Sequence, residues 1–202
     1  MGMDSANMDS STINYYEENA GSFVAETVGA SMSDALGRFA ALLPEGGKIL
    51  DWGCGSGRDS KALADMGFDV VATDASEAMC ESARAVAGVE VRCEDFMGLI
   101  EREAFNGIWA CASLIHLKRS QLPEAFARAN VALKQGGVLY ASFKLGDFEG
   151  YRSGRWFTDL QSGDLSVLLT GDWELLDCWE SADVREGRGD EKWLNFLARK
   201  AC

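Results

Sequence analysis

The segment ILDWGCGSGRDS, residues 49–60, is the feature that most constrains the fold of this chain. An apolar run ends at Asp51, and glycines follow at positions 53, 55 and 57. Glycine has no side chain, so a loop this rich in it lets the backbone come close to a ligand. Because the loop follows a strand and opens a helix, it predicts a binding site at the carboxyl ends of a parallel sheet.

Strand and helix patterns alternate on both sides of this loop. KILDW, FDVVATD, VEVRC, NGIWACASL and GVLYASFKL are typical of buried strands, and RDSKALADM, SEAMCESARAVA and SQLPEAFARANVALK are typical of helices. The alternation predicts an α/β fold with a doubly wound, mostly parallel sheet. After Gly150 we expect a loop, a helix near 162–170 and two strands that pair antiparallel at the sheet edge. Residues 1–12 are expected to be a disordered tip, and 13–202 a single domain.

The composition excludes several classes of partner. With 19 Lys plus Arg against 32 Asp plus Glu, the formal net charge is −13, which disfavours nucleic acid and anionic membranes. The six cysteines are scattered without metal-ligand spacing, so we expect a reducing compartment and no metal. No apolar run has the length of a membrane span, and the polar segment MGMDSANMDSS is unlike a signal peptide. A cytoplasmic protein is expected.

The spacing of the glycines and acids discriminates between nucleoside cofactors. Asp74 ends the next strand, 23 residues after Asp51, at the separation that suits a carboxylate holding ribose hydroxyls. The loop reads GxGxG with Arg58 next, whereas a dinucleotide loop reads GxGxxG. Asp51 would repel a pyrophosphate but suits a cationic amino-acid cofactor such as S-adenosylmethionine. A nicotinamide-dependent oxidoreductase is the rival enzyme, and both the spacing and Asp51 oppose it.

Five segments together resemble the class I S-adenosylmethionine-dependent methyltransferases. ILDWGCGSGRDS and VVATDAS resemble the first two motifs of that family, CEDF the third and FNGIWACASLIHL the fourth, followed by ALKQGGVLYASFK. The resemblance covers roughly residues 13–199 and is strongest to small stand-alone bacterial proteins of the tellurite-resistance-like type. It implies a seven-stranded sheet in the order 3-2-1-4-5-7-6 with the last strand antiparallel.

The resemblance also implies a set of cofactor-binding residues in the glycine loop. Asp51 and the backbone at the three glycines would surround the methionine part of the cofactor, which becomes S-adenosyl-L-homocysteine on methyl transfer. Cys54 and Arg58 belong to the same loop. Tyr15 would touch the amino-acid tail, and Cys111 would form the floor beneath the sulfonium.

Further along the chain, the resemblance implies the contacts to the nucleoside. Asp74 would hold the ribose hydroxyls, and Ala75 and Ser76 would border the adenine. Asp95 and Phe96 would meet the adenine amino group and its face.

Two residues are candidates for catalysis, each with an alternative. His116, the only histidine, follows the fourth strand. It is either an active-site residue and candidate general base or a helix-start residue bonded to backbone. Tyr16, with Tyr15, lies in NYYEENAGSF and belongs either to a lid over the cofactor or to packing at the sheet edge. Methyl transfer is an in-line displacement that depends mainly on alignment and requires no metal.

The sequence restricts the class of methyl acceptor but does not identify the compound. GYRSGRWFTD mixes cations with aromatic residues, which fits an anionic or aromatic small molecule or, equally, a solvated loop. The fourth motif reads Cys-Ala-Ser-Leu at 111–114, unlike the Asn-Pro-Pro-Tyr of enzymes that methylate base or amide nitrogen. We expect a small-molecule acceptor and a monomer or homodimer. A non-catalytic domain that binds the cofactor or a partner protein is the other alternative, and the acceptor atom stays open.

Overall fold

The computed structural model describes residues 8–185 and 187–201. The helices in this part of the chain are α1 (Ser10–Thr27), α2 (Ser33–Ala40), α3 (Arg58–Asp65), α4 (Glu77–Ala87), α5 (Leu122–Ala132) and the single turn α6 (Leu165–Leu168). The strands are β1 (Lys48–Trp52), β2 (Asp69–Asp74), β3 (Glu90–Cys93), β4 (Phe105–Ala110), β5 (Leu133–Lys144), β6 (Glu149–Arg152), β7 (Arg155–Thr158), β8 (Trp173–Ala182) and β9 (Lys192–Lys200).

Seven of these strands form one sheet in the order β3-β2-β1-β4-β5-β9-β8. Strands β1 to β5 run parallel, whereas β9 is antiparallel to both β5 and β8. Counted within the sheet alone, this is the predicted order 3-2-1-4-5-7-6 with the last strand antiparallel, so the expected α/β fold class is confirmed. The order reverses between β1 and β4, which is where doubly wound folds form a crevice for ligands.

The central strands are buried on both faces, which explains their nearly continuous apolar sequences. Successive residues of a strand point to opposite faces, so Ile49 packs with Trp109 on the side of α2 and α3, and Leu50 packs with Ile108 on the side of α5. These two apolar layers hold the carboxyl ends of β1, β2 and β4 at one edge of the sheet.

Two local predictions are corrected by the structure. The expected loop after Gly150 is instead a hairpin of β6 and β7, in which Tyr151 pairs with Trp156. Its turn places Ser153 and Gly154 at φ values of 48° and 81°, the left-handed pair that matches the twist of a two-residue hairpin. The helix expected near 162–170 is reduced to a 3₁₀ turn and α6.

The expected disordered tip, 1–12, lies partly outside the described residues. Of the remainder, Ser10–Thr12 form the first turn of α1, contrary to the expectation. The Asp9 carboxylate accepts from the backbone N–H groups of Ser11 and Thr12, and this cap lets the helix begin there. In the part of the chain that the structure describes, no helix combines the length and apolarity that a membrane span requires.

A substitution at Gly107 of β4 would test how closely α2 packs on the sheet. A Cβ atom at this position would lie 2.6 Å from a ring carbon of Phe39 and 2.8 Å from a methyl of Leu43. We expect Gly107→Ala to lower the free energy of unfolding by about 1–3 kcal/mol because the neighbours must shift.

Gly37, on the exposed side of α2, is the matched control because a Cβ there meets nothing within 4 Å. The same glycine-to-alanine change at Gly37 should raise stability by about 0.5–1 kcal/mol through helix propensity. Urea unfolding of both variants measures the two effects, and a neutral Gly107→Ala would contradict the close packing of α2.

Candidate active site

One cavity of about 330 Å³ opens at the carboxyl ends of β1, β2 and β4. It is lined by eleven of the residues that the sequence singles out: Tyr16, Asp51, Gly53, Cys54, Gly55, Arg58, Asp74, Ala75, Phe96, Cys111 and His116. Its volume lies within the range of small-ligand sites. The glycine loop and the candidate catalytic residues therefore share a single cavity.

The glycine loop packs so tightly that side chains are excluded at two of its positions. A Cβ on Gly53 would lie 2.4 Å from the Cβ of Ser113, and one on Gly57 would lie 2.8 Å from the Cα of Ala83. Both glycines adopt left-handed backbone conformations, at φ values of 87° and 77°. The loop is held in place because the N–H groups of Gly53 and Cys54 both donate to the Thr73 carbonyl, at 2.9 and 2.8 Å.

Asp51 is a buried carboxyl group at the end of the central strand. Its side chain accepts a hydrogen bond of 2.5 Å from the Ser60 hydroxyl, and the residue is only 2% exposed. Burial raises the pKa of Asp51 to about 7, with the negative charge of Asp59 adding to the rise. A cation placed beside Asp51 would favour its ionised form, so this corner of the cavity is suited to positive charge.

Asp74 ends β2 and is oriented by backbone N–H groups. One carboxylate oxygen accepts from Gly55 at 2.9 Å and the other from Ser76 at 3.0 Å. Burial raises the pKa of Asp74, and these hydrogen bonds oppose the rise. Each oxygen keeps a lone pair for a further donor, such as a ribose hydroxyl.

Four predicted site residues do not line the cavity. Gly57 packs on α4, and the Ser76 hydroxyl caps α4 by accepting from the Met79 N–H at 3.2 Å. Asp95 accepts from the N–H groups of Met8 and Met97 at 2.9 and 2.6 Å. Tyr15, the fourth, packs its ring against the guanidinium of Arg155, with 4.3 Å between their centres.

Neither cysteine in the cavity wall has the character of a nucleophile. Burial raises the pKa of Cys54 well above its usual value and that of Cys111 to about 12, so both are protonated thiols. Arg58 pairs with Asp59 through contacts of 2.7 and 2.8 Å and donates toward the Cys111 sulfur at 3.8 Å. Cys111 therefore serves as a wall of the cavity.

His116 and Tyr16 form a buried hydrogen-bonded pair. His116 Nδ1 lies 2.7 Å from the Trp156 carbonyl oxygen, which can only accept, so Nδ1 carries the ring proton. Nε2 is then the acceptor, and the Tyr16 hydroxyl donates to it at 2.9 Å. Burial lowers the pKa of His116 to about 4, so the ring is neutral at pH 7. Burial likewise raises the pKa of the Tyr16 phenol.

Helix α1 covers the cavity and is pinned at several points. Besides the Tyr16–His116 contact, Thr12 Oγ1 accepts from the Trp156 N–H at 2.9 Å. The Glu17 carboxylate accepts from the N–H groups of Glu77 and Ala78 at 2.6 and 3.3 Å, at the N-terminus of α4. These contacts hold α1 over the glycine loop.

The sequence reasoning missed several residues of this site. Glu17 gave no signal, because a carboxylate on a helix shows its partner only once the chain has folded. Ser142 and Asn195 did carry one, since each interrupts a buried apolar strand, β5 and β9 respectively, and both line the cavity. A polar residue in such a strand needs a partner, and Asn195 accepts from the Tyr140 hydroxyl at 2.8 Å.

No group of three or more His, Cys, Asp or Glu residues is placed to hold a metal ion within residues 8–185 and 187–201. The polar side chains that line the cavity, among them Asp51, Asp74 and Arg58, fit a polar organic ligand.

The chain is similar in sequence to known methyltransferase-domain proteins. Residues 49–137 match the model of a methyltransferase-domain family. Over 118 residues the chain is 34% identical to YqeM of Bacillus subtilis, provisionally named a methyltransferase, covering 53% of this chain. Over 159 residues it is 36% identical to a second provisionally named methyltransferase, from Geobacillus sp. (strain WCH70), covering 75% of this chain. The chain spans 48% and 60% of the lengths of these relatives.

A solved structure shows the same fold. It is the 1,6-didemethyltoxoflavin-N1-methyltransferase of Burkholderia thailandensis with 1,6-didemethyltoxoflavin and S-adenosylhomocysteine bound. The TM-score is 0.74 at 21% identity, over 94% of this chain and 85% of the other.

The fold is that of the Rossmann-like methyltransferases. The match over residues 49–137, together with the sheet order, confirms that the motifs resemble those of the class I S-adenosylmethionine-dependent methyltransferases, and the chain has the fold of that family. S-adenosylmethionine is the cofactor of that family, as the sequence predicted.

The raised pKa of Asp51 has a measurable consequence for stability. A carboxyl whose pKa rises from 3.8 to about 7 on folding binds more protons when folded, so its contribution to stability is present below about pH 4 and is lost as the pH rises through 7. Between about pH 5 and about pH 7.5 we expect the stability of the wild type, relative to Asp51→Asn, to fall by about 2 kcal/mol.

Urea unfolding of both proteins at the two pH values measures this difference. Asparagine keeps the shape and can still accept from Ser60, so the comparison isolates the titration of Asp51 from the other acids. A difference in stability that does not change with pH would show that the pKa of Asp51 is ordinary.

Proposed function

We propose that this protein transfers the methyl group of S-adenosylmethionine to a small-molecule acceptor. One observation carries the proposal: a single cavity joins the glycine loop and Asp74, which suit the cofactor, to His116 and Tyr16, which suit an acceptor. A cofactor methyl and an acceptor atom held in one cavity can be aligned for in-line displacement, which supplies much of the rate. When bound, the cofactor supplies an activated methyl group on a sulfonium sulfur.

The cofactor half of the cavity fits the charges of S-adenosylmethionine. Asp51 would face the cationic amino-acid part, where a positive charge lowers its pKa and makes it a charged partner. Asp74 would accept from the ribose hydroxyls with the lone pairs that Gly55 and Ser76 leave free. Phe96, which is buried and meets Trp52 edge to face, would lie against the adenine.

His116 and Tyr16 would manage the proton of the acceptor. His116 is neutral, and its proton on Nδ1 is fixed by the Trp156 carbonyl, so Nε2 becomes free to accept the proton of the acceptor once Tyr16 turns away. Tyr16 and Phe157 also narrow this half of the cavity, and Phe157 meets His116 edge to face. Burial of the pair keeps water from competing with the acceptor.

The comparison with the Burkholderia thailandensis enzyme supports a small acceptor. That protein has the same fold and has 1,6-didemethyltoxoflavin and S-adenosylhomocysteine bound. The cavity here, of about 330 Å³, is also of a size for compact ligands. We propose that the acceptor is likewise a small molecule, without transferring that compound to this protein.

Calorimetric titration with S-adenosylhomocysteine tests the cofactor assignment. We expect binding by the wild type and a loss of about 100-fold in affinity for Asp74→Ala, because the ribose would lose charge-assisted hydrogen bonds. Asp69→Ala is the matched control, since Asp69 is exposed at the opposite end of the same strand. Equal affinity in Asp74→Ala, or preferential binding of NADH, would exclude the assignment.

The base is tested by methyl transfer from labelled S-adenosylmethionine across a panel of small acceptors. We expect His116→Asn to lower kcat by about 10²–10⁴-fold, because asparagine can still donate to the Trp156 carbonyl but lacks the Nε2 base. Tyr16→Phe, which removes the hydroxyl next to Nε2, should also lower kcat.

Both variants should bind S-adenosylhomocysteine as the wild type does, which separates lost chemistry from lost folding. Full activity in His116→Asn would remove the histidine from the reaction. Binding of the cofactor without turnover on the whole panel would instead favour a non-catalytic role for the domain.

A further inference from the structure

We infer that Arg155 binds an anionic group of the acceptor, so that the substrate is a small acid with a flat apolar body. This inference rests on the proposed function, because it identifies the acceptor of the same cavity. Arg155 begins β7 and lines the cavity beside His116 and Tyr16. None of the five segments that resemble the class I family includes it.

The other arginines and the lysine in the cavity wall each have a carboxylate partner. Arg58 pairs with Asp59, Lys144 with Glu191, Arg152 with Asp159, Arg185 with Asp183, and Arg188 with Glu26 and Glu191. Among the residues that the structure describes, Arg155 has no carboxylate within 4.0 Å. Its charge is therefore available to a ligand.

The guanidinium of Arg155 also has hydrogen-bond donors to spare. An arginine carries five N–H groups, and the contact found for this one is from a terminal nitrogen to the Tyr16 hydroxyl, at 3.3 Å. Its Nε is buried with no acceptor in the described structure. A buried donor without a partner is uncommon in native proteins and is often satisfied by a ligand.

Aromatic rings surround this arginine and shape the space beside it. The guanidinium lies 4.3 Å from the ring centre of Tyr15, 5.6 Å from that of Tyr16 and 5.2 Å from that of Phe157. Stacking of this kind holds the planar group and leaves its N–H edge for a carboxylate, which it can bind through two parallel hydrogen bonds. The same rings offer flat apolar surface to the body of a ligand.

The position of Arg155 assigns it to the acceptor half of the cavity. Its charge acts on Tyr16 and His116, the candidate catalytic pair. At the cofactor half, Arg58 is the cation that acts on Asp51. The amino-acid tail of the cofactor also carries a carboxylate that Arg155 could bind. The titrations below distinguish this carboxylate from that of the acceptor.

Benzoate and benzamide are suitable probes, since they share a shape and differ in charge. We would titrate each into the protein saturated with S-adenosylhomocysteine. The wild type should bind benzoate about 10-fold more tightly than benzamide or better, which is the value of a charge-assisted hydrogen bond. Arg155→Gln should abolish this preference, and Arg155→Lys, which keeps the charge, should retain part of it.

Arg102→Gln is the matched control, because Arg102 is exposed and does not line the cavity, yet its loss changes the net charge equally. It should keep the full preference for benzoate. Equal affinities for the two probes in the wild type, no binding of benzoate, or a preference that survives in Arg155→Gln would each overturn the inference.

The affinity of Arg155→Gln for S-adenosylhomocysteine decides the source of the anion. We expect it to be unchanged, which also shows that the variant is folded. If it falls while affinity for 5′-methylthioadenosine, which lacks the amino-acid tail, is kept, then Arg155 holds the cofactor carboxylate and the inference is wrong. If the wild type itself does not bind S-adenosylhomocysteine, the proposed function fails, and the benzoate preference of the ligand-free protein still decides the role of Arg155.

Discussion

The close approach of the glycine loop to its two neighbours is the constraint on which the site depends. At Gly53 and Gly57 the backbone lies where any Cβ atom would collide with Ser113 or Ala83. This contact sets the end of β1 against the turn after β4 and against α4, so that Asp51 and Asp74 face one cavity. The left-handed conformations cost glycine little and would cost other residues about 1–2 kcal/mol each. Glycine at these positions therefore lets the loop adopt this geometry without strain.

A second organising feature is the arrangement of protons and charges inside the cavity. The Trp156 carbonyl fixes the proton of His116 on Nδ1, and this leaves Nε2 for the hydroxyl of Tyr16. Burial keeps the ring neutral, as shown by its lowered pKa of about 4. Around this neutral pair the cations of the wall are balanced by carboxylates, with Arg155 as the exception in the described chain. In the proposed reaction, chemistry and selection of the acceptor would therefore involve adjacent but different side chains.

The sequence was most informative where local pattern and topology coincide. The alternating strands and helices predicted a doubly wound, mostly parallel sheet, because right-handed parallel crossovers leave few ways to connect such elements. The order of its strands was implied by the resemblance to the class I methyltransferases. The cofactor followed from the GxGxG spacing and the two acids at strand ends. The sequence was least informative around Tyr151 and Trp156, where a hairpin replaces the expected loop. Its turn uses Ser153 at positive φ, a conformation that serine rarely adopts and that a pattern does not reveal.

By itself, the sequence determined the class of fold and predicted a cofactor site at the glycine loop with Asp51 and Asp74, because these depend on residue type and spacing along one strand–loop–helix unit. The tertiary structure alone decided that Tyr16 meets His116, that Glu17 caps α4, and that Arg155 has no carboxylate partner. The two contacts join residues that are 100 and 60 positions apart. Pairings across such distances are set by how helices and hairpins pack on the sheet, and no local preference of the chain encodes them.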